Sequence, residues 1–156
     1  MENFAPRAEL ARSIIDSVQY MVLGTADEAG RPWANPVWFA AEDDRTFYWV
    51  SSPEARHSQN IANRPEIGIV IFDSSVRPGA GQGVYMEAEA EEVPAEAIDH
   101  GLAVFSERSS ERGLRAWTTA DVGGDSLRLY RARARTYSML AKDGQPDHRV
   151  AVDLKG

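Results

Sequence analysis

The chain has 156 residues, which fits one domain, taken as 1–156, and at that length roughly two thirds of the unfolded surface can be buried. Its 43% hydrophobic and 26% charged residues suit a globular protein, and a net charge of −7 argues against nucleic acid as the partner. With no cysteine, disulfides, thiol nucleophiles, thiolate metal sites and CxxCH-linked haem are excluded.

Met1 to Arg12 carries acids and lacks the apolar centre of a leader peptide. No run approaches the roughly 18 apolar residues that span a bilayer. The expectation is a soluble, cytoplasmic protein with no membrane partner. Residues 7–18 then predict a short amphipathic helix, with Leu10, Ala11, Ile14, Ile15 and Val18 on one face.

Tyr20–Thr25 reads as a buried strand and Asp27-Glu28-Ala29-Gly30 as a turn. Pro32–Ala40 is the next strand, with Pro36 favouring an edge or a bulge. Asp43-Asp44 turns the chain into Thr46–Ser51, and the three strands predict an antiparallel meander. After Ser51-Ser52-Pro53-Glu54 the period is helical to about Asn63, where Pro65 closes it. Glu66–Phe72 (EIGIVIF) reads as a strand buried on both faces.

Asp73–Gly83, with Pro78 and several glycines, is expected to be a loop. Val84–Val93 alternates, with Val84, Met86, Ala88 and Ala90 opposite Tyr85, Glu87, Glu89 and Glu91. Pro94 suits the first residue of a helix running to about Arg108, with Ile98, Leu102 and Phe105 inward. A shorter helical piece around Leu114 and Trp117, a loop at Val122-Gly123-Gly124 and a long strand Leu127–Leu140 complete the chain. Six or more strands with helices only at the connections predict a closed or nearly closed barrel.

The segment WVSSPEARHSQN, Trp49 to Asn60, carries the most chemistry. Ser51 with Glu54 fits an S-x-x-E capping box, with Ser52 as an alternative cap. First-turn amides favour an anion, and Arg56 and His57 lie near the same end, so hydroxyls, amides and a guanidinium could cradle a phosphate. The plainer reading, a capped helix with solvent-facing Arg56 and His57, is favoured by the local pattern alone. Trp33, Trp38 and Phe39 could wall a flat ring beside Asn35-Pro36, although aromatic core is the better reading without context. Glu87, Glu89 and Glu91 against Arg131, Arg133 and Arg135 read as a cross-strand charge ladder. His57, His100 and His148 have no metal-site spacing, and no GxSxG or phosphate-loop fingerprint occurs.

The succession YMVLGT, Gly30-Arg31-Pro32, NPVWF, FYWVSS, ARHSQNIANRPEIGIVIF and VYMEAEAEEV resembles the pyridoxamine 5′-phosphate oxidase-like family of flavin-binding split barrels, over roughly residues 8–140. The resemblance implies a mainly β fold, a six-stranded antiparallel split barrel with peripheral helices. It also implies a homodimer with FMN at the subunit interface and flavin-dependent oxidoreduction of a small-molecule substrate or electron donor. Carried over by position, Asn35, Pro36, Val37 and Trp38 match the strand along the isoalloxazine ring. Trp49, Val50, Ser51 and Ser52 match the strand end beside the ribityl chain and phosphate. Arg56 and His57 match the basic pair on the phosphate, and Gln82 lies near a glutamine that reaches the cofactor from the partner chain.

The family usually has lysine where this chain has His57, which leaves room for another phosphorylated cofactor. The chain also lacks, at Leu127-Arg128-Leu129-Tyr130-Arg131-Ala132, the histidine and later arginine of the true oxidases, which speaks against vitamin B6 oxidation. The sequence is similar, too, to reductases that use the deazaflavin F420, the alternative cofactor. Its abundance of Ala, Arg and Glu suits the high-GC genomes in which such reductases occur. A flavin carrier without turnover is the reading outside enzymes. A haem reading finds no histidine placed as an axial ligand.

Overall fold

The structure, a computed structural model, describes residues 4–154, with side chains from residue 6. Residues 1–3, part of the segment read for a leader, lie outside the described residues. Helix α1 (Phe4–Ser17) is followed by β1 (Tyr20–Ala26), β2 (Pro32–Trp38), β3 (Ala40–Glu42) and β4 (Thr46–Ser51). Helix α2 (Arg56–Asn63) leads to β5 (Glu66–Phe72) and β6 (Gly83–Glu92). A single 3-10 turn, Ala95–Ala97, opens α3 (Ile98–Glu111), and α4 (Thr119–Val122), β7 (Arg128–Leu140) and β8 (Arg149–Ala151) follow. No helix among the described residues is long and apolar enough to cross a membrane.

The strands form one antiparallel sheet in the order β2-β1-β5-β6-β7-β4-β3, with β8 beside β7. Six are long and two, β3 and β8, have three residues each. The two ends of the order, β2 and β3, are halves of one bent strand separated only by Phe39, whose amide bonds to the Gln19 carbonyl at 3.3 Å. The curled sheet is therefore tied across its open seam by its own chain, which makes the mainly β split barrel that the sequence implied. The meander is corrected by the same feature. β2 pairs with β1 while β3 pairs with β4, and β4 takes β7 as its long neighbour. A buried Phe39 at the bend drives this, because its ring belongs in the barrel with Phe47 at 6.0 Å.

The barrel is filled by alternate residues of each strand, among them Met21, Leu23, Phe47, Trp49, Ile67, Ile69, Ile71, Val84 and Met86. Burying each large side chain is worth about 1.5–3 kcal/mol. A second apolar layer, Tyr48, Leu102, Phe105, Val122 and Leu129 with Trp38 and Trp117, fixes α3 to the outside of β4 and β7. Helix α1 buries Ala11, Ile14 and Ile15, but Leu10 is 45% exposed, contrary to the expected face.

Three further expectations change. The run Glu66–Phe72 alternates rather than burying both faces: Ile67, Ile69 and Ile71 are inside, whereas Gly68 is exposed and Val70 half-buried. No helix among the described residues covers that outer face. The helical piece expected near Leu114 and Trp117 falls instead on α4, which Thr118 and Asp121 open with a reciprocal capping box. Trp117 sits in irregular chain, edge-on to Phe105 at 5.6 Å, and Val122, expected in a loop, is buried in that layer.

The charge ladder is present in register, with Glu89 opposite Arg133 and Glu91 opposite Arg131. A bulge between Glu87 and Ala88 breaks its third rung.

Candidate functional site

The site lies where the end of β4, the start of α2 and the edge strand β2 meet. The capping box expected at Ser51 and Glu54 is not formed. Helix α2 begins at Arg56 with Ala55 as an uncapped N-cap, because residues 52–55 first make a turn. In that turn Ser52 Oγ accepts from the Glu54 amide and the Ser52 carbonyl accepts from the Ala55 amide, both at 3.1 Å. The Ser58 hydroxyl donates to the same carbonyl at 2.7 Å. The first helical hydrogen bond runs from Gln59 N to Ala55 O at 3.0 Å. The amides of Arg56, His57 and Ser58 precede it, the donors that a helix start offers to an anion.

A buried bond from Asn60 Nδ2 to Thr25 Oγ1, 3.0 Å long, pins α2 against β1 and sets its start over β2. Thr25 pairs with Trp33, so the two side chains share one face. There the Arg56 guanidinium lies over the Trp33 ring, 4.5 Å from its centroid. No carboxylate lies within 4.0 Å of Arg56 among the described residues. Two residues along β2 from Trp33, Asn35 keeps its Oδ1 buried with no hydrogen-bond partner, while its Nδ2 reaches the Pro36 carbonyl at 3.4 Å.

Ser51 Oγ and His57 Nε2 share a hydrogen bond at 2.9 Å. Burial pushes the His57 imidazole below its ordinary value of 6.5, so at neutral pH it is uncharged. Arg56 is therefore the standing positive charge of the cluster, with two hydroxyls, a neutral imidazole and the helix amides around it.

The other sequence candidates are placed differently. Pro36 is exposed on the edge strand and Val37 is buried in the barrel. Trp38 turns to the opposite face, edge-on to Phe105 at 5.1 Å and donating to Gln19 Oε1 at 3.3 Å. Trp49 is fully buried and stacks on Tyr130 with centroids 5.8 Å apart, and Val50 packs in the layer under α3. These side chains hold the fold, so their offer to a ligand is confined to backbone groups. The expectation that aromatics of this strand are core holds for Trp38 and Phe39 and fails for Trp33. The period-2 pairing of Trp33 with Asn35 was the signal that could have found it.

Gln82 is remote from Arg56 within one chain. It precedes β6, next to the Phe72 end of β5, whereas Thr25 and Asn60 lie toward the Glu66 end. Beside Gln82 a cavity of about 880 Å³ opens between the loop around Gly79–Gly81 and the chain after β7, including Phe72, Tyr85 and Lys142. No residue of 117–124 lines that cavity.

The description "Pyridoxamine 5′-phosphate oxidase" belongs to the family model that matches residues 8–150. A pyridoxine/pyridoxamine 5′-phosphate oxidase from Burkholderia thailandensis is 26% identical over 127 residues, covering 81% of this chain and 56% of its own length. The chain thus spans little more than half of that curated relative. A heme binding protein from Mycobacterium smegmatis superposes with a TM-score of 0.70 at 19% identity, over 97% of this chain and 59% of that one. A FAD-binding protein from Mesorhizobium loti superposes at 0.61 with 17% identity, over 85% and 92% of the two chains.

Proposed function

Because the chain belongs to the pyridoxamine 5′-phosphate oxidase family, we propose that it binds a phosphorylated flavin, FMN, and works as a flavin-dependent oxidoreductase. The observation that carries this reading is a donor set around Arg56 in which no carboxylate pairs with the guanidinium among the described residues. A guanidinium without a carboxylate partner, the Ser51 and Ser52 hydroxyls and the first amides of α2 suit the oxygens of a phosphate. The unpartnered Asn35 Oδ1 adds an acceptor on the adjoining strand, of the kind that a ring N–H would satisfy.

When bound, the flavin supplies the hydride and electron transfer. The chain's part is to anchor and orient. Trp33 holds the Arg56 guanidinium by cation–π contact. The Asn60–Thr25 bond fixes the direction of the helix start.

The same reading includes a homodimer. The outer face of β1, β5 and β6 has a shallow groove of about 400 Å³, apolar along Val22, Gly24, Gly68 and Val70 and bordered past Tyr85 by Glu87 and Arg149. An apolar strand run such as EIGIVIF, open on one face in a single chain, is what a second copy would cover. Two copies would also offer a way for the Gln82 end of one to approach the Arg56 end of the other.

The neighbour described as heme binding raises a haem reading, which the histidines here do not favour. His57 is engaged by Ser51, His100 Nε2 meets Glu42 at 2.6 Å, and His148 Nε2 meets Asp143 at 3.3 Å.

The test is an absorbance spectrum of the freshly purified protein, with mass spectrometry of the molecule released by heat. A flavin spectrum with an FMN mass is expected. A protein that neither carries nor takes up FMN sinks the reading, and uptake of F420 by that same protein would replace the cofactor while keeping the enzyme class.

A further inference from the structure

On the outer faces of β4, β6 and β7, away from α2's first turn, a cavity of about 570 Å³ is lined by four arginines, Arg45, Arg131, Arg133 and Arg135, against Glu89 and Glu91. A charge ladder explains only part of this cluster. One rung is closed: Arg131 donates to Glu91 Oε1 from Nε at 2.9 Å and from Nη2 at 2.6 Å. Arg133 stands in register with Glu89, yet no ion pair within 4.0 Å joins them. The bulge sets Thr136 opposite Glu87, so Arg135 loses its rung and meets Glu66 only at 3.8 Å. Arg45 enters from the turn between β3 and β4 and has no carboxylate within 4.0 Å among the described residues.

With Arg131 held by Glu91 and Arg135 near Glu66, Arg45 and Arg133 leave an excess of positive charge that suits an anion, conspicuous in a chain of net charge −7. The cluster is also held in place beforehand. The Arg45 carbonyl accepts from the Ala134 amide at 2.9 Å, which docks the turn on β7. Planar guanidinium forks match phosphate oxygens, and the volume lies in the range of small-ligand pockets. We propose that this cavity binds a small, multiply charged phosphate anion, of the class of pyrophosphates and phosphate monoesters, independently of the Arg56 cradle.

Inorganic pyrophosphate titrated calorimetrically into the full chain at low salt tests this. The expected result is a binding event weakened at least tenfold in the Arg45→Ala/Arg133→Ala double variant and kept in Arg56→Ala, in which any second event at the Arg56 cradle is lost. Both replaced side chains belong to exposed residues. Should the double alanine variant fail to fold by circular dichroism, Arg45→Lys/Arg133→Lys decides, with binding kept but weakened as the supporting result. No binding by the native chain overturns the proposal. So does binding that disappears with Arg56→Ala and survives the double replacement, and so does affinity indifferent to the lysine pair when the alanine pair is unfolded.

Discussion

Gln82 clasps the backbone of Leu140 from both sides, its Nε2 donating to the carbonyl at 3.0 Å and its Oε1 accepting from the amide at 3.1 Å. Oε1 also accepts from the Gly83 amide at 3.0 Å. One side chain thus does the pairing of a strand residue and joins the start of β6 to the end of β7. Gln82→Ala is expected to cost about 1–3 kcal/mol, the range for leaving partly buried backbone groups unpaired. Urea denaturation measures it. A stability unchanged by the substitution, with flavin affinity reduced, would show that Gln82 serves the ligand and not the fold.

Arg56→Ala should weaken FMN binding by about 1.5–3 kcal/mol, the range for a charge-assisted hydrogen bond. The side chain is exposed and rests on Trp33, so the fold should be untouched. Fluorescence titration of the apoprotein reads the loss, and equal affinity in the two proteins would remove Arg56 from the phosphate.

The half-buried imidazole of His57 links stability to pH. Its folded-state value lies below 6.5 because burial disfavours the charged form. The unfolded chain therefore takes up the proton first on acidification. Stability is fully present above about 6.5, falls as the pH drops below that value and levels off once the folded state is protonated too. In apoprotein, His57→Gln should flatten that part of the profile. A native profile that is already flat between pH 7 and 5 would contradict the assignment.

Gly101 lets α3 come close to the sheet. A Cβ there would lie 2.9 Å from Leu129 Cδ2 and 2.9 Å from Tyr48 Cε1. The leucine methyl can swing away, but the Tyr48 ring is 2% exposed and held. Gly101→Ala should destabilise by about 1–3 kcal/mol through overpacking, outweighing its better helix propensity. Thermal unfolding measures the sum, and a raised melting temperature would mean that α3 can lift.

Gly68 tests the homodimer. Nothing lies within 4 Å of a Cβ added there, so Gly68→Arg should leave one chain folded while placing a bulky charge on the apolar side of the groove, beside Val22 and Val70. Sedimentation should show a dimer for the native chain and a monomer for the variant. A variant that remains dimeric places the contact on another face.

Much of this was legible in the sequence because it depends on local period. The alternation of Val84, Met86, Ala88 and Ala90 set one face of β6, and Leu102 and Phe105 set the buried side of α3. The ordered succession of motifs carried the family. What escaped depends on distant partners. The break at Phe39 follows from which strand each half pairs with, and nothing between Pro32 and Glu42 encodes that locally. Serine-rich turns and helix caps look alike until the carbonyl of Ser52 is seen taking the Ser58 hydroxyl. The meeting of Arg56 with Trp33 needs α2 to be fixed by Asn60 on Thr25, a contact across 35 positions. The strand β8 has three residues, too few to show a period.

The bent strand at Phe39 also orders events during synthesis. The hairpin of β1 and β2 can form as soon as both have left the ribosome, yet the continuation into β3 and β4 has no long neighbour until β7 arrives, since Val50 pairs with Leu129. Until then the apolar stretch from Phe47 to Val50 has an unpaired edge, and contacts this far apart in sequence close slowly. The pairing of β4 with β7 that completes the long part of the sheet is thus made late. The nascent chain is open to mispairing at this edge while residues 52–127 are being added.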